Sequence, residues 1–186
     1  MNRVWIIVAA LLLMAAPLCA RELPKPGDAL QEGNCVLTAV ANEMTDEVSY
    51  AVVTLADELF TATESKPLAL FNMRKGVPAE MLVSLLTPMK AKNGEKVQIL
   101  IRFGKEKPIA VSGIYIERNS IVLINEAPVV VELLGRMTEH KKMLIGYTSF
   151  SKYTYLHFRL KGLPKLMQCF PAWDLARKKI EKAPPK

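Results

Sequence analysis

The sequence is poor in the residue types that enzyme chemistry most often needs. Its 186 residues include only two histidines, four aspartates and three cysteines. A zinc centre takes three or four suitably spaced ligands, and His140 and His157 bring no such cluster with them. A Gly-rich phosphate loop, G-x-S-x-G, H-E-x-x-H and C-x-x-C are all missing. Nine glycines and 12 prolines are too few for a collagen-like or low-complexity chain. With 51% hydrophobic and 23% charged residues, the composition is that of a globular domain able to bury a real core. No catalytic residue, metal or cofactor is assigned from the sequence.

One long apolar run stands at the beginning. Arg3, the apolar stretch Val4–Ala16 and Leu18-Cys19-Ala20 have the three parts of a secretory signal, so Met1–Ala20 is read as a signal peptide. The run is shorter than the roughly 18 to 20 residues of a membrane span; the alternative is a retained N-terminal anchor. Cys19 fits a lipid-attachment box poorly, because Ala16 and Leu18 occupy the positions that want Leu and a small residue. The expected location is therefore periplasmic or secreted. Removal of Cys19 leaves Cys35 and Cys169, an even number in a compartment that permits disulfides. A Cys35–Cys169 bridge would close a loop of more than 100 residues, worth about 4 to 5 kcal/mol in the chain-entropy model; the alternative is two buried thiols.

Charge is unevenly spread. The net charge is +7, yet residues 141–186 carry +9 and residues 21–140 carry −3. A basic end on an exported chain suits an acidic protein or an anionic envelope component such as lipid or lipopolysaccharide. Nucleic acid is not an expected partner. The organisation that follows is a signal peptide over 1–20, a single β-rich domain over 21–170 and a basic tail over 171–186.

Short β-branched and aromatic segments dominate the pattern. Cys35–Ala41, Ser49–Leu55 and Pro67–Met73 read as strands, with the acidic Glu43–Glu47 as a turn. Leu82, Leu85, Leu86 and Met89 recur at helical spacing, so residues 78–90 read as a short helix opened by Pro78. Lys96–Phe103 alternates as a half-buried strand does, and Ile109–Glu117 with Ser120–Ile124 forms a hairpin. Pro128–His140 switches to helical period, with Val130, Leu133, Leu134 and Met137 on one face. Met143–Tyr147 and Tyr153–Leu160 form a last strand pair, and Gly162-Leu163-Pro164 opens a short closing helix that carries Cys169. The fold class is mainly β (α+β): a β-sandwich or twisted antiparallel sheet with one central helix and a short C-terminal helix.

Three constellations bear on function. Ser149-Phe150-Ser151-Lys152 matches S-x-x-K, but that chemistry needs a helix start and the motif falls in a turn. Glu117 and Glu126 flank the central hairpin and could act as a carboxylate pair in a small envelope hydrolase. The most informative segment is Tyr153–Leu160. Thr154, Leu156, Phe158 and Leu160 point to one face, and Tyr153, Tyr155, His157 and Arg159 to the other. Tyr and Arg anchor interfaces more often than other residues, so this second set is the candidate binding surface. The alternative is coverage of that face by the C-terminal segment through Trp173 or Leu175.

The C-terminal third, with Phe158-Arg159-Leu160-Lys161-Gly162-Leu163-Pro164-Lys165-Leu166-Met167-Gln168-Cys169 preceded by a helix and a strand, resembles the ending of invasion-associated locus B-like exported bacterial proteins. The resemblance covers residues 120–170. It implies a non-enzymatic β-sandwich of the bacterial envelope and carries over no catalytic residue; the family's additional cysteines are absent here. The expected function is an exported binding protein of the bacterial envelope, of host-interaction or toxin-inhibitor type. The alternatives are the carboxylate hydrolase and a structural accessory of a surface or export assembly.

Overall fold

A computed structural model describes residues 22–41, 47–58, 66–150, 152–173 and 178. The segment read as a signal peptide, and most of the acidic turn Glu43–Glu47, lie outside the described residues. The described residues form ten strands and two α-helices. The strands are β1 (Ala29–Glu32), β2 (Cys35–Ala41), β3 (Val48–Leu55), β4 (Leu68–Arg74), β5 (Val77–Ser84), β6 (Lys96–Phe103), β7 (Ile109–Ile116), β8 (Ile121–Ile124), β9 (Lys142–Thr148) and β10 (Tyr153–Arg159). The helices are α1 (Ala127–Glu139), between β8 and β9, and α2 (Leu163–Met167), after β10.

All ten strands join one open antiparallel sheet in the order β1-β2-β3-β4-β5-β8-β7-β6-β9-β10. It is the twisted-sheet form of the expected class, not a two-sheet sandwich. The sheet coils far enough for its ends to approach. Ala56, just after β3, bridges Phe158 of β10, and the Asp57 N–H donates to the His157 carbonyl at 2.7 Å. The β1–β2 hairpin extends past this closure. Coiling gives the sheet one inner face, and the inward residues of each strand fill it: Leu37, Val52, Phe71, Met81, Ile101, Tyr115, Ile145 and Phe158 are all buried. Helix α1 contributes Val130, Leu133, Leu134 and Met137 to the same core, and α2 adds Leu163 and Leu166. Phe170 and Trp173 are buried there too, so the domain runs to at least Trp173.

Two buried tyrosines tie a loop across this core. Tyr147 Oη accepts from the Thr87 N–H at 3.0 Å, and Tyr115 Oη from the Met89 N–H at 3.2 Å. Each bond satisfies a backbone donor of the loop after β5, and that of Met89 is buried.

Two expectations need correction. Residues 78–90 do not form a helix: Val77–Ser84 is strand β5, hydrogen-bonded between β4 and β8. Met81, Val83 and Leu85 point inward at period two, and Leu82 lies on the other face. An apolar residue on that outer face is what imitated helical spacing. Pro78 is accommodated at the strand's start, where the register with β4 shifts between Asn72 and Met73. The second correction concerns Cys35 and Cys169, which form no disulfide. Cys35 Sγ faces Thr54 Oγ1 at 3.7 Å and the Arg159 carbonyl at 3.9 Å, whereas Cys169 Sγ lies 4.0 Å from the Glu22 carbonyl. The two thiols are buried against different neighbours. Burial pushes the Cys35 thiol's pKa up, against hydrogen bonds from Thr54 and the Leu163 backbone. Cys169 also stands two residues beyond the end of α2, not within it.

Candidate functional site

Strand β10 alternates as its sequence suggests. Thr154, Leu156 and Phe158 are buried, while Tyr153, Tyr155, His157 and Arg159 face outward. Tyr153 remains 42% and Tyr155 50% exposed, which decides against coverage of this face by Trp173. Leu175 lies outside the described residues. The register across β6, β9 and β10 then builds a surface in rows. Leu100, Gly146 and Tyr155 stand side by side, then Arg102, Leu144 and His157, then Lys142 beside Arg159. The rows pass from apolar to basic along the strands.

This surface is hollowed into two connected cavities. The first, about 300 Å³, is lined by Leu100, Arg102, Pro108, Leu144, Gly146, Tyr153 and Tyr155. The second, about 560 Å³, is lined by Asp57, Glu58, Arg102, Gly104, Lys142, Met143, Leu144, His157, Phe158 and Arg159. Arg102 and Leu144 belong to both, so they form one groove. Gly146 is what lets the first cavity take its shape. A Cβ there would come within 2.8 Å of the Tyr153 ring, which lies over the glycine. The Tyr153 and Tyr155 rings are 4.9 Å apart at 58°, a tilted aromatic pair. Burial, and secondarily the neighbouring Tyr155, holds the Tyr153 phenol above its ordinary pKa. At neutral pH the Tyr153 phenol therefore presents an O–H.

The basic half is partly neutralised from the opposite end of the sheet. Arg159 Nε donates to Asp57 Oδ2 at 3.0 Å. The His157 N–H donates to Glu58 Oε2 at 2.9 Å, and His157 Nδ1 lies 2.5 Å from Glu58 Oε1. Partial burial pushes the Glu58 carboxyl up, but the His157 backbone and imidazole outweigh it and hold the group below its usual value. Among the described residues, no carboxylate pairs with Arg102 or Lys142.

The other candidates do not assemble. Glu117 sits in a 3₁₀ turn before β8 and Glu126 beyond its far end, as the N-cap of α1. Four strand residues alone span about 13 Å, against the roughly 5 to 9.5 Å that a glycosidase pair uses. Ser149 Oγ donates to the Lys152 carbonyl at 3.0 Å and closes the β9–β10 turn. His140 caps the C-terminal end of α1 and reaches Glu106 at 3.2 Å. Among the described residues there is no cluster of three or more His, Cys, Asp or Glu able to hold a metal, and no helix long and apolar enough to cross a membrane.

Sequence reasoning identified the β10 stripe but missed Leu100, Arg102, Lys142, Leu144, Gly146, Asp57 and Glu58. The outward positions of Leu100 and Leu144 were available signals, since an apolar residue on the wet face of a strand asks for a reason. Asp57 and Glu58 had none, because only the coiling of the sheet brings them to β10. No family model, curated protein or solved structure matches this chain.

Proposed function

We propose that the protein is an exported binding protein of the bacterial envelope, without catalytic activity, which holds a protein or an anionic envelope component on the outer face of β6, β9 and β10. The observation that carries this reading is the open β10 stripe and the groove it walls. Exposed tyrosines beside partly unpaired cations are the composition of a recognition surface. The apolar Met1–Ala20 segment and the positive charge of residues 141–186 support export and an acidic partner. The likeness of the C-terminal third to invasion-associated locus B-like proteins points the same way and assigns no residue.

The test is affinity capture from an envelope fraction at low and high salt, comparing wild type with Tyr155→Ala and Arg159→Ala. A component held by wild type and lost by both variants, each still folded by circular dichroism, is the expected result. Capture unaffected by either substitution would overturn the assignment of this face. Fractionation of the producing cells checks export, with Arg21 expected as the first residue of the mature chain.

A further inference from the structure

The two halves of the groove differ in kind. One is walled by Leu100, Leu144, Pro108 and the tyrosine pair and offers an apolar bed of about 300 Å³, at the lower end of the range for small-molecule sites. The other opens directly from it and holds two cations, Arg102 and Lys142, that have no carboxylate partner among the described residues. Their placement follows from the register. Arg102 stands opposite Leu144, and Lys142 is two residues along β9 on the same face. Such diagonal neighbours lie about 7 to 8 Å apart, a separation that one carboxylate can bridge. Arg159 and His157 flank them, already engaged by Asp57 and Glu58.

We infer that this groove binds an anionic single-chain amphiphile of fatty-acid type, its chain on the tyrosine side and its carboxylate between Arg102 and Lys142. The inference rests on the binding reading above and names the ligand class of that same site. Each half accounts for one part of the ligand. Arg102 brings charge to the apolar bed only where it meets the second cavity, the rest of its lining being uncharged, and the cations alone would not select an acyl chain. Charge complementarity sets the orientation: a cationic amphiphile would place its head beside two unpaired positive charges, and a neutral one would leave them unanswered. The Arg102 guanidinium can meet a carboxylate with two parallel N–H donors, whereas Lys142 adds a point charge. The Tyr153 phenol, held above its ordinary pKa by burial, brings no opposing charge.

The experiment is titration calorimetry of the purified protein with dodecanoate below its micelle concentration. Acetate, dodecanol and dodecyltrimethylammonium are the comparison probes. Saturable binding of one dodecanoate is expected, with each comparison probe at least about tenfold weaker, the equivalent of one charged hydrogen bond. The double variant Arg102→Gln/Lys142→Gln, both positions exposed, should keep the wild-type melting temperature and lose about tenfold or more in dodecanoate affinity. Tyr155→Ala should weaken dodecanoate and leave acetate unchanged. Equal binding of the cationic amphiphile, or unchanged affinity in the double variant, would overturn the inference. If dodecanoate does not bind while envelope capture still depends on Tyr155 and Arg159, the ligand class is wrong and the binding face stands. If neither is seen, both fall.

Discussion

Thr154 offers a sharp test of how β10 is set in the sheet. It lies between the two exposed tyrosines, so the alternation of the strand turns it into the core, where it is 9% exposed. Its Oγ1 has no hydrogen-bond partner among the described residues. A buried hydroxyl left in that condition costs about 1 to 3 kcal/mol relative to one that keeps its partners. Thr154→Val keeps the branched shape and the strand preference while removing the stranded group. The expected gain is about 1 to 2 kcal/mol. At about 2 to 4 °C per kcal/mol for a chain of this size, the melting temperature should rise by about 2 to 8 °C. Urea unfolding should show the same change in midpoint with an unchanged slope. Thr154→Ser provides the contrast: it retains the hydroxyl and deletes a buried methyl, so it should lose about 1 kcal/mol. Ligand binding should be untouched by either, since the side chain points away from the groove. A Thr154→Val protein that melts at or below the wild-type temperature would refute the reasoning, because it would mean the hydroxyl is satisfied or the face is not dry.

Three further outcomes follow from the same geometry. Gly162 adopts φ +104°, and a Cβ there would collide with the Glu32 backbone carbonyl, so Gly162→Ala should cost about 2 to 5 kcal/mol in denaturant unfolding. Gly94→Ala, at φ +83° with open space around it, should cost only about 1 to 2 kcal/mol; equal losses would mean that the β1 contact is not tight. Because Glu58 is held below its ordinary pKa, it binds fewer protons folded than unfolded. Its contribution to stability is therefore complete above the usual carboxylate value and disappears as pH falls through the depressed one. The stability difference between wild type and Glu58→Gln should accordingly be present at pH 6 and vanish in acid; a difference independent of pH would refute the pairing with His157. Finally, Cys35 and Cys169 should both react with a thiol reagent once the protein is unfolded without reductant, and Cys35 should resist it in the native state, where burial disfavours the thiolate. Finding no titratable thiol after unfolding would restore the disulfide.

The legible parts of the sequence were those in which one strand faces core on one side and water on the other. β6, β9 and β10 show this: Ile99, Ile101 and Phe103 are buried and Gln98 and Arg102 are not, so period two could be read directly. Helix α1 was legible for the matching reason, an apolar stripe opened by a proline in its first turn. β5 was not, because Leu82 is apolar on the outer face and the alternation is blurred. β1 went unread because it has only four residues, none fully buried.

Composition and local pattern by themselves determined that the chain is mainly β, where most of its strands run, and that Tyr153, Tyr155, His157 and Arg159 share a face. These are properties of a strand and its nearest neighbours in sequence. Only the tertiary structure decided that the sheet is single and coils until Ala56 meets Phe158, since strand order depends on contacts between residues about 100 positions apart. The same coiling carried Asp57 and Glu58 to β10 and left Cys35 and Cys169 buried apart. Register did the rest, setting Arg102, Leu144 and Lys142 beside the tyrosine stripe and making a groove out of residues that no local spacing connects.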